Sequence, residues 1–528
     1  MRIGESSRRV RTRAALRSLG TLPTLPYPWL RWLGAVGAVL IGVGGLGAGA
    51  LPVVGNPWFA FPGGALMGRM LQTSTAVVFV GVGMLVAAWL LMAPHVGAFG
   101  GQASISKGSL MRTYLVWVAP IVCTAPMFTQ DIYSYFAQGS ILRQGMDPYA
   151  AGPVEILGPD HPLARSVPFI WAHSPSPYGP VALGVNAAIS GLTSDAVLPG
   201  VIAHRLLGIA ALLAGAWATT RLAARCRVEP VTALWMGIVN PLAILHLVAG
   251  IHNEALMLGL MLVGMELGLR GVDRVSGASA GRAWAWLAAS GVLLSCAGLV
   301  KVTGFVALGF TGMALARAWQ SRLGHVASIL AAGAVQFALL ATTTVAASTA
   351  SGAGFGWLHS QGGAAQIRSI YSLTTNVGAA AGWAGMRLGI GDHTDAMLTI
   401  TRGAGIAVAA VFIVRMLWET YVGNIHPIGG LGLASMVLVV LFPVIQPWYC
   451  LWAILPLAAW MRRRPMRTAV VVISTLFSFV VLPRGLALPS ETVAGIYTSA
   501  LLALTALALA AWAGFRSRAR GITLPNHG

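Results

Sequence analysis

The sequence carries little charge for its length. Only 9% of its 528 residues are Asp, Glu, Lys or Arg, and 56% are hydrophobic. A soluble globular domain carries roughly 25% charged residues, so this composition excludes a soluble protein and indicates a polytopic membrane protein. Acidic residues are scarcer than basic ones: the sequence has 14 Asp and Glu against 34 Lys and Arg, which gives a net charge of +20. This excess does not imply nucleic acid, because the basic residues gather at predicted membrane boundaries.

Cysteine pairs and nucleotide-binding motifs are absent. The 4 cysteines lie far apart and mostly within apolar runs, with no CxxC pair and no His-spaced partner. Neither a disulfide framework nor a zinc site is therefore predicted. The chain also lacks a P-loop and a GxGxxG turn leading into a helix, which excludes the usual ATP and nucleotide-sugar sites. No internal repeat is visible.

Long apolar runs are abundant instead. A helical crossing needs about 20 apolar residues, and about fourteen runs approach this length. They lie at 33–54, 74–93, 111–128, 198–220, 231–249, 254–270, 284–300, 302–316, 326–348, 397–414, 428–444, 449–461, 469–483 and 493–514. The stretch 178–192 is shorter and contains Gly, Pro and Asn, so we expect a helix at the outer interface. The predicted fold class is an all-α polytopic membrane protein with short interfacial helices in its outer loops.

The basic residues predict the orientation of these spans. Residues 1–32 form a basic tail that we expect to be cytoplasmic, ahead of a single transmembrane domain at 33–514 and a second cytoplasmic tail at 515–528. Most of the 34 basic residues fall on the side of the tails, so the loops 129–197 and 349–396 are predicted to face outward. The basic residues that map to the outer side include Arg143, Arg205, Lys301 and Arg368.

Polar side chains concentrate in the first outer loop, directly after the run 111–128. The segment DIYSYFAQGSILRQGMDPYAAGP contributes Asp131, Tyr133, Tyr135, Arg143, Asp147 and Tyr149. A carboxylate at the bilayer boundary is costly unless it is paired or hydrated, so it marks a candidate functional site. An interfacial anchor of Tyr and charged residues remains the alternative interpretation.

Other polar groups map to the same side. SPSPYGP makes a stiff turn around Tyr178, and NPLAILHLVAGIHNEALM places His252, Asn253 and Glu254 at a turn before the next span. His252 and Glu254 could join Asp131 around a divalent ion, although no further ligand lies nearby in the sequence.

Two cations and an aromatic cluster complete the candidates. Lys301, at a turn between two apolar runs, is a possible donor to phosphate oxygens or a snorkelling anchor. Arg368 in the second outer loop is a similar candidate phosphate contact. QPWYCLW places Trp448 and Tyr449 at an outer boundary, as an aromatic belt or as a platform for a sugar.

Together these groups suit the transfer of a sugar from a lipid phosphate. The departing phosphate needs cations rather than a general acid, whereas the acceptor hydroxyl needs a general base. One base and a single displacement imply inversion. A flippase or transporter of a lipid-linked sugar is the alternative. Transporters usually show internal repeats, whereas here the polar residues gather on one face, which favours the enzyme.

The motifs DIYSYFAQG, GMDPY, SPYGP, NPLAILHLVAGIHNE, the Lys301 turn and QPWYCLW resemble those of the actinobacterial polyprenyl-phosphomannose-dependent alpha-1,6-mannosyltransferases, over about residues 33 to 510. The resemblance implies a GT-C class enzyme that builds the mannan backbone of lipomannan and lipoarabinomannan at the plasma membrane. Its donor would be polyprenyl-phosphate-mannose and its acceptor a mannan glycolipid in the membrane. No oligomeric state is predicted.

The resemblance also implies roles for individual residues. Asp131 would be the general base on the acceptor O6, and Glu254 with His252 would match the second acidic motif of this fold class. Enzymes with lipid monophosphate donors are expected to need no metal, so we predict no required cofactor. The predicted substrate-binding residues are Tyr133, Tyr135, Arg143, Asp147, Tyr149, Tyr178, Asn253, Lys301, Arg368, Trp448 and Tyr449.

Overall fold

The computed structural model describes residues 25–275, 280–360 and 368–521, which are built from helices and contain no strand. Most of the predicted N-terminal tail and the last residues of the C-terminal tail lie outside these ranges. The α-helices, in chain order, are α1 Tyr27–Ala48, α2 Gly64–Arg69, α3 Leu71–Leu91, α4 Lys107–Val118, α5 Asp131–Arg143, α6 Pro153–Leu157, α7 Pro162–Ser166, α8 Phe169–Ala172, α9 Pro180–Thr193, α10 Val197–Arg225, α11 Pro230–Met236, α12 Pro241–Ala243, α13 Glu254–Val272, α14 Ala280–Val300, α15 Val306–Leu323, α16 His325–Ser351, α17 Trp357–Ser360, α18 Leu373–Arg387, α19 Thr394–Val422, α20 Pro427–Leu441, α21 Cys450–Ala458, α22 Arg464–Phe477 and α23 Ser490–Gly521. Short 3₁₀ turns at Pro57–Ala60, Ala119–Ile121, Val302–Phe305 and Pro447–Tyr449, and a π turn at Ile244–Ala249, join some of them.

The described residues confirm an all-α polytopic membrane protein. Within them, 9 helices are long and apolar enough to cross a membrane, and a bent pair supplies a tenth candidate. Every predicted apolar run contains a helix, although α4, α20, α21 and α22 are shorter than a full crossing, at 12, 15, 9 and 14 residues. The stretch predicted as interfacial forms α9, whose 14 residues are also fewer than a crossing needs.

The bent pair consists of α11 and the helical stretch Pro241–Ala249, which meet at an angle of 50°. Pro241 has no N–H to continue the hydrogen-bond ladder, and the Asn240 side chain accepts from Leu242 N at 2.9 Å instead. The Asn240 amide also donates to Ser474 Oγ on α22 at 2.7 Å. The break therefore fixes the direction of the chain that leads to His252.

Three long helices bring distant polar residues to one end of the molecule. α13 packs against both α10 and α14. Glu254 begins α13, and Lys301 directly follows the end of α14. Because α13 and α14 are antiparallel neighbours, the start of one meets the end of the other. This places a carboxylate and an ammonium group side by side without any sequence proximity.

Candidate functional site

Asp131 lies at the first position of α5, where several groups hold its carboxylate. Trp171 on α8 donates from Nε1 to Asp131 Oδ1 at 3.0 Å, and the backbone N–H of Asp131 donates to Thr129 Oγ1 at 3.1 Å. Burial raises the pKa of Asp131 above its ordinary value; the Trp171 hydrogen bond lowers it, the Glu254 charge adds to the rise and Lys301 opposes it. A carboxylate with a raised pKa and 17% of its side chain exposed suits a general base.

His252 lies beside this carboxylate, with Nδ1 3.6 Å from Asp131 Oδ2. Burial, followed by the charge of Lys301, lowers the pKa of His252 well below its ordinary value, so the imidazole is neutral. Trp448 stacks on the His252 ring at 3.9 Å between centroids, and His246 stacks on Trp448 at 5.2 Å. This stack fixes the plane of the imidazole.

Two buried side-chain nitrogen atoms at this turn have no hydrogen-bond partner among the described residues. They are Nε2 of His252 and Nδ2 of the neighbouring Asn253. Buried polar atoms are normally hydrogen-bonded, so each unsatisfied one needs an explanation. Both residues were predicted from the HNE turn, and both have a polar atom that a hydroxyl-bearing ligand could use.

Lys301 and Glu254 form the second charged pair of the site. Lys301 Nζ lies 2.5 Å from Glu254 Oε1, and the Glu254 side chain is only 2% exposed. Burial alone would lower the pKa of the Lys301 ammonium, but the Glu254 carboxylate outweighs it and holds the pKa above its ordinary range. Lys301 Nζ also lies 4.2 Å from the Tyr449 ring centroid and 5.0 Å from that of Trp452, as in a cation–π contact.

Tyrosines from the loop at 129–197 form one wall of the site. Tyr135 and Tyr178 meet edge to face at 5.3 Å, and Tyr149 donates to the Tyr178 carbonyl at 2.8 Å. Burial, followed by the charges of Asp131 and Glu254, raises the pKa of Tyr178 well above its ordinary value, so its phenol stays protonated.

The SPSPYGP turn packs directly against the end of α14. A Cβ added at Gly179 would lie 2.3 Å from the carbonyl oxygen of Leu299, two residues before Lys301. Only glycine permits this close approach. The stiff turn predicted from SPSPYGP therefore holds Tyr178 against the end of α14, directly before Lys301.

The aromatic residues of QPWYCLW are buried against the site. Trp448 is 7% and Trp452 is 2% exposed, and Tyr449 stacks on Trp452 at 4.2 Å. An aromatic belt would instead expose its rings to the headgroup region. These side chains pack on His252 and Lys301, so they line the site itself.

Four predicted site residues make their contacts elsewhere among the described residues. Tyr133 donates to the Ala50 carbonyl at 2.5 Å, Arg143 pairs with Asp195 at 2.5 Å, Asp147 accepts from the Tyr149 backbone N–H at 2.8 Å, and Arg368 pairs with Asp395 at 2.9 Å. The first three hold α5 and its loop in place. Arg368 is 59% exposed in its pair with Asp395.

Two functional residues were missed from the sequence, Trp171 and Arg205. Trp171 gave no signal beyond an aromatic residue near the SPSPYGP turn. Arg205 was counted only as a basic residue on the outer side, although a guanidinium within an apolar run was a signal in itself. It is fully buried and donates to five backbone carbonyls, those of Val122, Thr124, Ala125, Val248 and Ala249.

Arg205 joins the two non-helical segments that lead to Asp131 and His252. The carbonyls that it binds belong to the stretch after α4 and to the end of the π turn, and Met127 N–H donates to Ala249 O between the same segments at 3.0 Å. Both segments also contain a non-glycine residue with positive φ, Phe128 at 65° and Ile251 at 58°. Such conformations persist where the surroundings enforce them.

Replacing Arg205 by methionine is expected to destabilise the protein by roughly 3 kcal/mol or more, because several buried carbonyls lose their donor. The measurement is the unfolding midpoint of the purified protein in detergent. Arg112→Met, at an exposed position, serves as the matched control. An unchanged midpoint for Arg205→Met would show that the carbonyl contacts do not hold these segments.

The described residues contain no group of three or more His, Cys, Asp or Glu side chains that could hold a metal ion. Glu254, the acidic residue of the HNE turn, is paired with Lys301 at 2.5 Å. A cation would have to compete with this ammonium group. The donor set at the site therefore consists of one carboxylate available to a ligand, neutral imidazole and amide groups, and an ammonium group.

The fold and the site define a multi-pass, all-α membrane protein with a charged, aromatic-lined site at one end of its helices. Two family models match the chain: "Alpha-(1->6)-mannopyranosyltransferase, N-terminal domain" at residues 31–317 and "MptB C-terminal domain" at residues 374–509. The first covers more than half of the chain and includes Asp131, Glu254 and Lys301. No solved structure matches the chain.

Curated relatives agree with these models. The chain is 58% identical over 496 residues to alpha-(1->6)-mannopyranosyltransferase B of Corynebacterium glutamicum, covering 93% of this chain and 82% of that protein. It is 41% identical over 455 residues to a probable alpha-(1->6)-mannopyranosyltransferase of Mycolicibacterium smegmatis, covering 83% and 80%. It is 32% identical over 458 residues to alpha-(1->6)-mannopyranosyltransferase A of Mycobacterium tuberculosis, covering 85% and 83%. The chain belongs to the alpha-(1->6)-mannopyranosyltransferase family, which confirms the resemblance drawn from its motifs.

Proposed function

We propose that this protein is an inverting, GT-C type glycosyltransferase that moves mannose from polyprenyl-phosphate-mannose to the O6 of an alpha-1,6-mannan acceptor. The observation that carries the proposal is the meeting of Asp131 and Lys301 in one site from loops 170 residues apart in sequence. One group can accept a proton from a hydroxyl, and the other can stabilise a departing phosphate. Family membership supplies the sugar and the linkage.

The proposed step is a single displacement. Asp131 accepts the proton of the acceptor O6 hydroxyl while O6 forms a bond to C1 of the donor mannose. The bond between C1 and the phosphate oxygen breaks, and its electron pair remains on the lipid phosphate. Lys301 donates hydrogen bonds to that phosphate, because only part of its donor capacity is used by Glu254. Inversion with an alpha product requires a beta-linked donor.

The buried, unsatisfied polar atoms of the HNE turn would orient the acceptor in this step. The neutral His252 imidazole and the Asn253 amide can hydrogen-bond hydroxyl groups of a mannose without adding charge. The protonated Tyr178 phenol is a further donor on the opposite wall. The rings of Trp448 and Tyr449 hold the His252 imidazole and the Lys301 ammonium group in position for this step.

We place the site on the outer face of the plasma membrane, in the biosynthesis of lipomannan and lipoarabinomannan. Arginine residues crowd the other end of the helices that lead to the site, and basic residues mark the cytoplasmic side. A lipid-carried donor also fits a compartment without nucleotide sugars, and the sequence contains no nucleotide-binding motif. The N- and C-termini are then cytoplasmic.

The test is a transfer assay with the purified protein in liposomes. Polyprenyl-phosphate-mannose with labelled mannose is supplied with a short alpha-1,6-mannoside acceptor, and the product linkage is determined by specific mannosidase digestion. We expect extension of the acceptor by alpha-1,6-mannose, and none from GDP-mannose. Movement of the labelled lipid between leaflets without transfer would contradict the enzyme proposal and favour a flippase.

The rate of transfer should rise with pH through the pKa of Asp131, which lies above the ordinary aspartate value because the carboxylate is buried. The base acts only when deprotonated, so kcat/KM falls about tenfold per pH unit below that pKa and is constant above it. Trp171→Phe removes a hydrogen bond that lowers this pKa, and should therefore move the midpoint to higher pH. A midpoint that stays fixed in Trp171→Phe would contradict the assignment of the titration to Asp131.

Removal of divalent cations should leave transfer unchanged. The ammonium group of Lys301 already occupies the Glu254 carboxylate, and we propose that it supplies the charge that a metal ion would otherwise supply. The measurement is the initial rate after dialysis against EDTA, with and without added Mg²⁺ or Mn²⁺. Loss of activity in EDTA, restored by either ion, would overturn the proposal of a metal-independent step.

A further inference from the structure

A second polar site lies at the opposite end of the molecule. A cavity of about 400 Å³ is lined by Arg221 and Arg225 on α10, and by Arg270 and Arg274 at the end of α13. This volume falls within the range of roughly 300–1,000 Å³ found for small-molecule sites. None of these residues takes part in the proposed transfer.

The cavity and the transfer site lie on opposite membrane surfaces. α13 runs from Glu254, at the transfer site, to Val272, beside the cavity, over 19 residues. At 1.5 Å per residue this helix is about 28 Å long, close to the thickness of the hydrocarbon core. The cavity is therefore at headgroup depth in the other leaflet.

The charges around the cavity do not balance within the described residues. Arg225 pairs with Glu266 at 2.8 Å and with Asp273 at 2.7 Å, and Arg270 pairs with Glu266 at 2.7 Å. Arg274 donates only to a backbone carbonyl, at 3.2 Å, and Arg221 has no partner among the described residues. Two guanidinium groups thus exceed the two carboxylates.

Tryptophan rings flank the same cavity. The Arg270 guanidinium carbon lies 5.0 Å from the Trp217 ring centroid and 5.8 Å from that of Trp286. Trp217 is 38% exposed on the outside of the helical bundle, where indole rings favour the headgroup region of a bilayer. The cavity therefore opens next to lipid.

We propose that this cavity binds the phosphate of an anionic glycerophospholipid headgroup. Guanidinium groups bind phosphate oxygens in a bidentate manner, and basic pockets between transmembrane helices hold anionic headgroups. The paired Arg225 and Arg270 form the rigid floor, and the two unbalanced groups, Arg221 and Arg274, contact the phosphate. The flanking indoles pack along the glycerol and the upper acyl chains, which a free phosphate ion would not use.

The test measures lipid binding by the full-length protein in the absence of donor and acceptor, so it is independent of the transfer assay. Native mass spectrometry counts phosphatidylglycerol bound to the protein in a zwitterionic detergent, against phosphatidylcholine as the neutral lipid. Arg221→Gln with Arg274→Gln is expected to weaken phosphatidylglycerol binding about 30-fold, roughly a factor of five for each guanidinium near the headgroup. Both residues lie outside the ion-pair network, so it remains intact.

The matched control is Arg112→Gln with Arg463→Gln, which removes the same charge at two exposed positions outside the cavity. It should bind phosphatidylglycerol as the unmodified protein does. Equal weakening in both double variants would overturn the site, because the effect would then follow net charge alone. A second arm adds inorganic phosphate at millimolar concentration. If phosphate displaces the lipid completely, and if the Arg221→Gln with Arg274→Gln variant also loses phosphate binding, the cavity binds a free anion and the lipid proposal is overturned.

Discussion

Asp131→Asn is expected to lower the rate of mannosyl transfer about 1,000-fold, within the range of 10²- to 10⁴-fold that a general base contributes. Asparagine keeps the shape of the side chain and can still accept the Trp171 hydrogen bond, so the loss reports the missing proton acceptor. The effect should fall on kcat, with little change in KM for the lipid donor. The measurement is the steady-state rate of acceptor extension at a pH above the Asp131 pKa.

The control for this change is Asp160→Asn, at an exposed aspartate in the same loop. It should transfer mannose at the unmodified rate. Asp131→Glu provides a second comparison, because it retains a carboxylate but moves it by one methylene group, and should keep more activity than the asparagine variant. Transfer by Asp131→Asn within threefold of the unmodified protein would remove Asp131 from the role of base.

The sequence could predict the three charged residues that meet at the site because each of them interrupts an apolar run at a predicted membrane boundary. Asp131, Glu254 and Lys301 are costly in such places unless they are paired or functional, and the structure brings all three together. Trp448 and Tyr449 followed from the same reasoning, although the sequence left open whether they faced lipid or the site. Packing against His252 and Lys301 decided that question.

The contacts of each group could not be predicted, because they depend on which helices become neighbours. The Glu254–Lys301 pair required that α13 and α14 be antiparallel and in contact. Arg205 was visible as a cation in an apolar run, but its five carbonyl partners belong to segments that the hydropathy pattern assigned to regular spans. The run 111–128 ends as a helix at Val118, since Pro120 interrupts it and Arg205 satisfies the carbonyls beyond it.

The same limit explains the predicted residues that lie elsewhere. Arg143 was near Asp131 in sequence, but the two occupy opposite ends of the 13-residue helix α5, so their side chains are about 18 Å apart along its axis. Arg368 was predicted as a phosphate contact from its charge and its outer loop. Its carboxylate partner, Asp395, follows 27 residues later in the sequence and is even more exposed, at 92% against 59% for Arg368. No periodicity in the sequence indicates this pair.

Lys301→Met in combination with Glu254→Gln is expected to fold normally and to lower transfer by about 100-fold or more. Methionine replaces the Lys301 stem with a similar unbranched chain, and glutamine removes the carboxylate that would otherwise remain buried without its partner. The lost activity then measures the stabilisation of the departing phosphate, for which a single donor in other enzymes contributes about 10²- to 10³-fold. The measurements are the unfolding midpoint and kcat for the same preparation.

The single changes separate structure from chemistry in this pair. Lys301→Met alone leaves a buried carboxylate unpaired, which costs about 3–5 kcal/mol, so its unfolding midpoint should fall and the second change should restore it. Arg368→Gln removes a cation from an exposed pair worth roughly 0–1 kcal/mol, and should retain both stability and transfer. If the double variant were as active as the unmodified protein while Arg368→Gln lost activity, the phosphate contact would belong to Arg368 and not to Lys301. The opposite pattern follows from the geometry, because Lys301 is the cation beside the aromatic wall and within the electrostatic reach of Asp131.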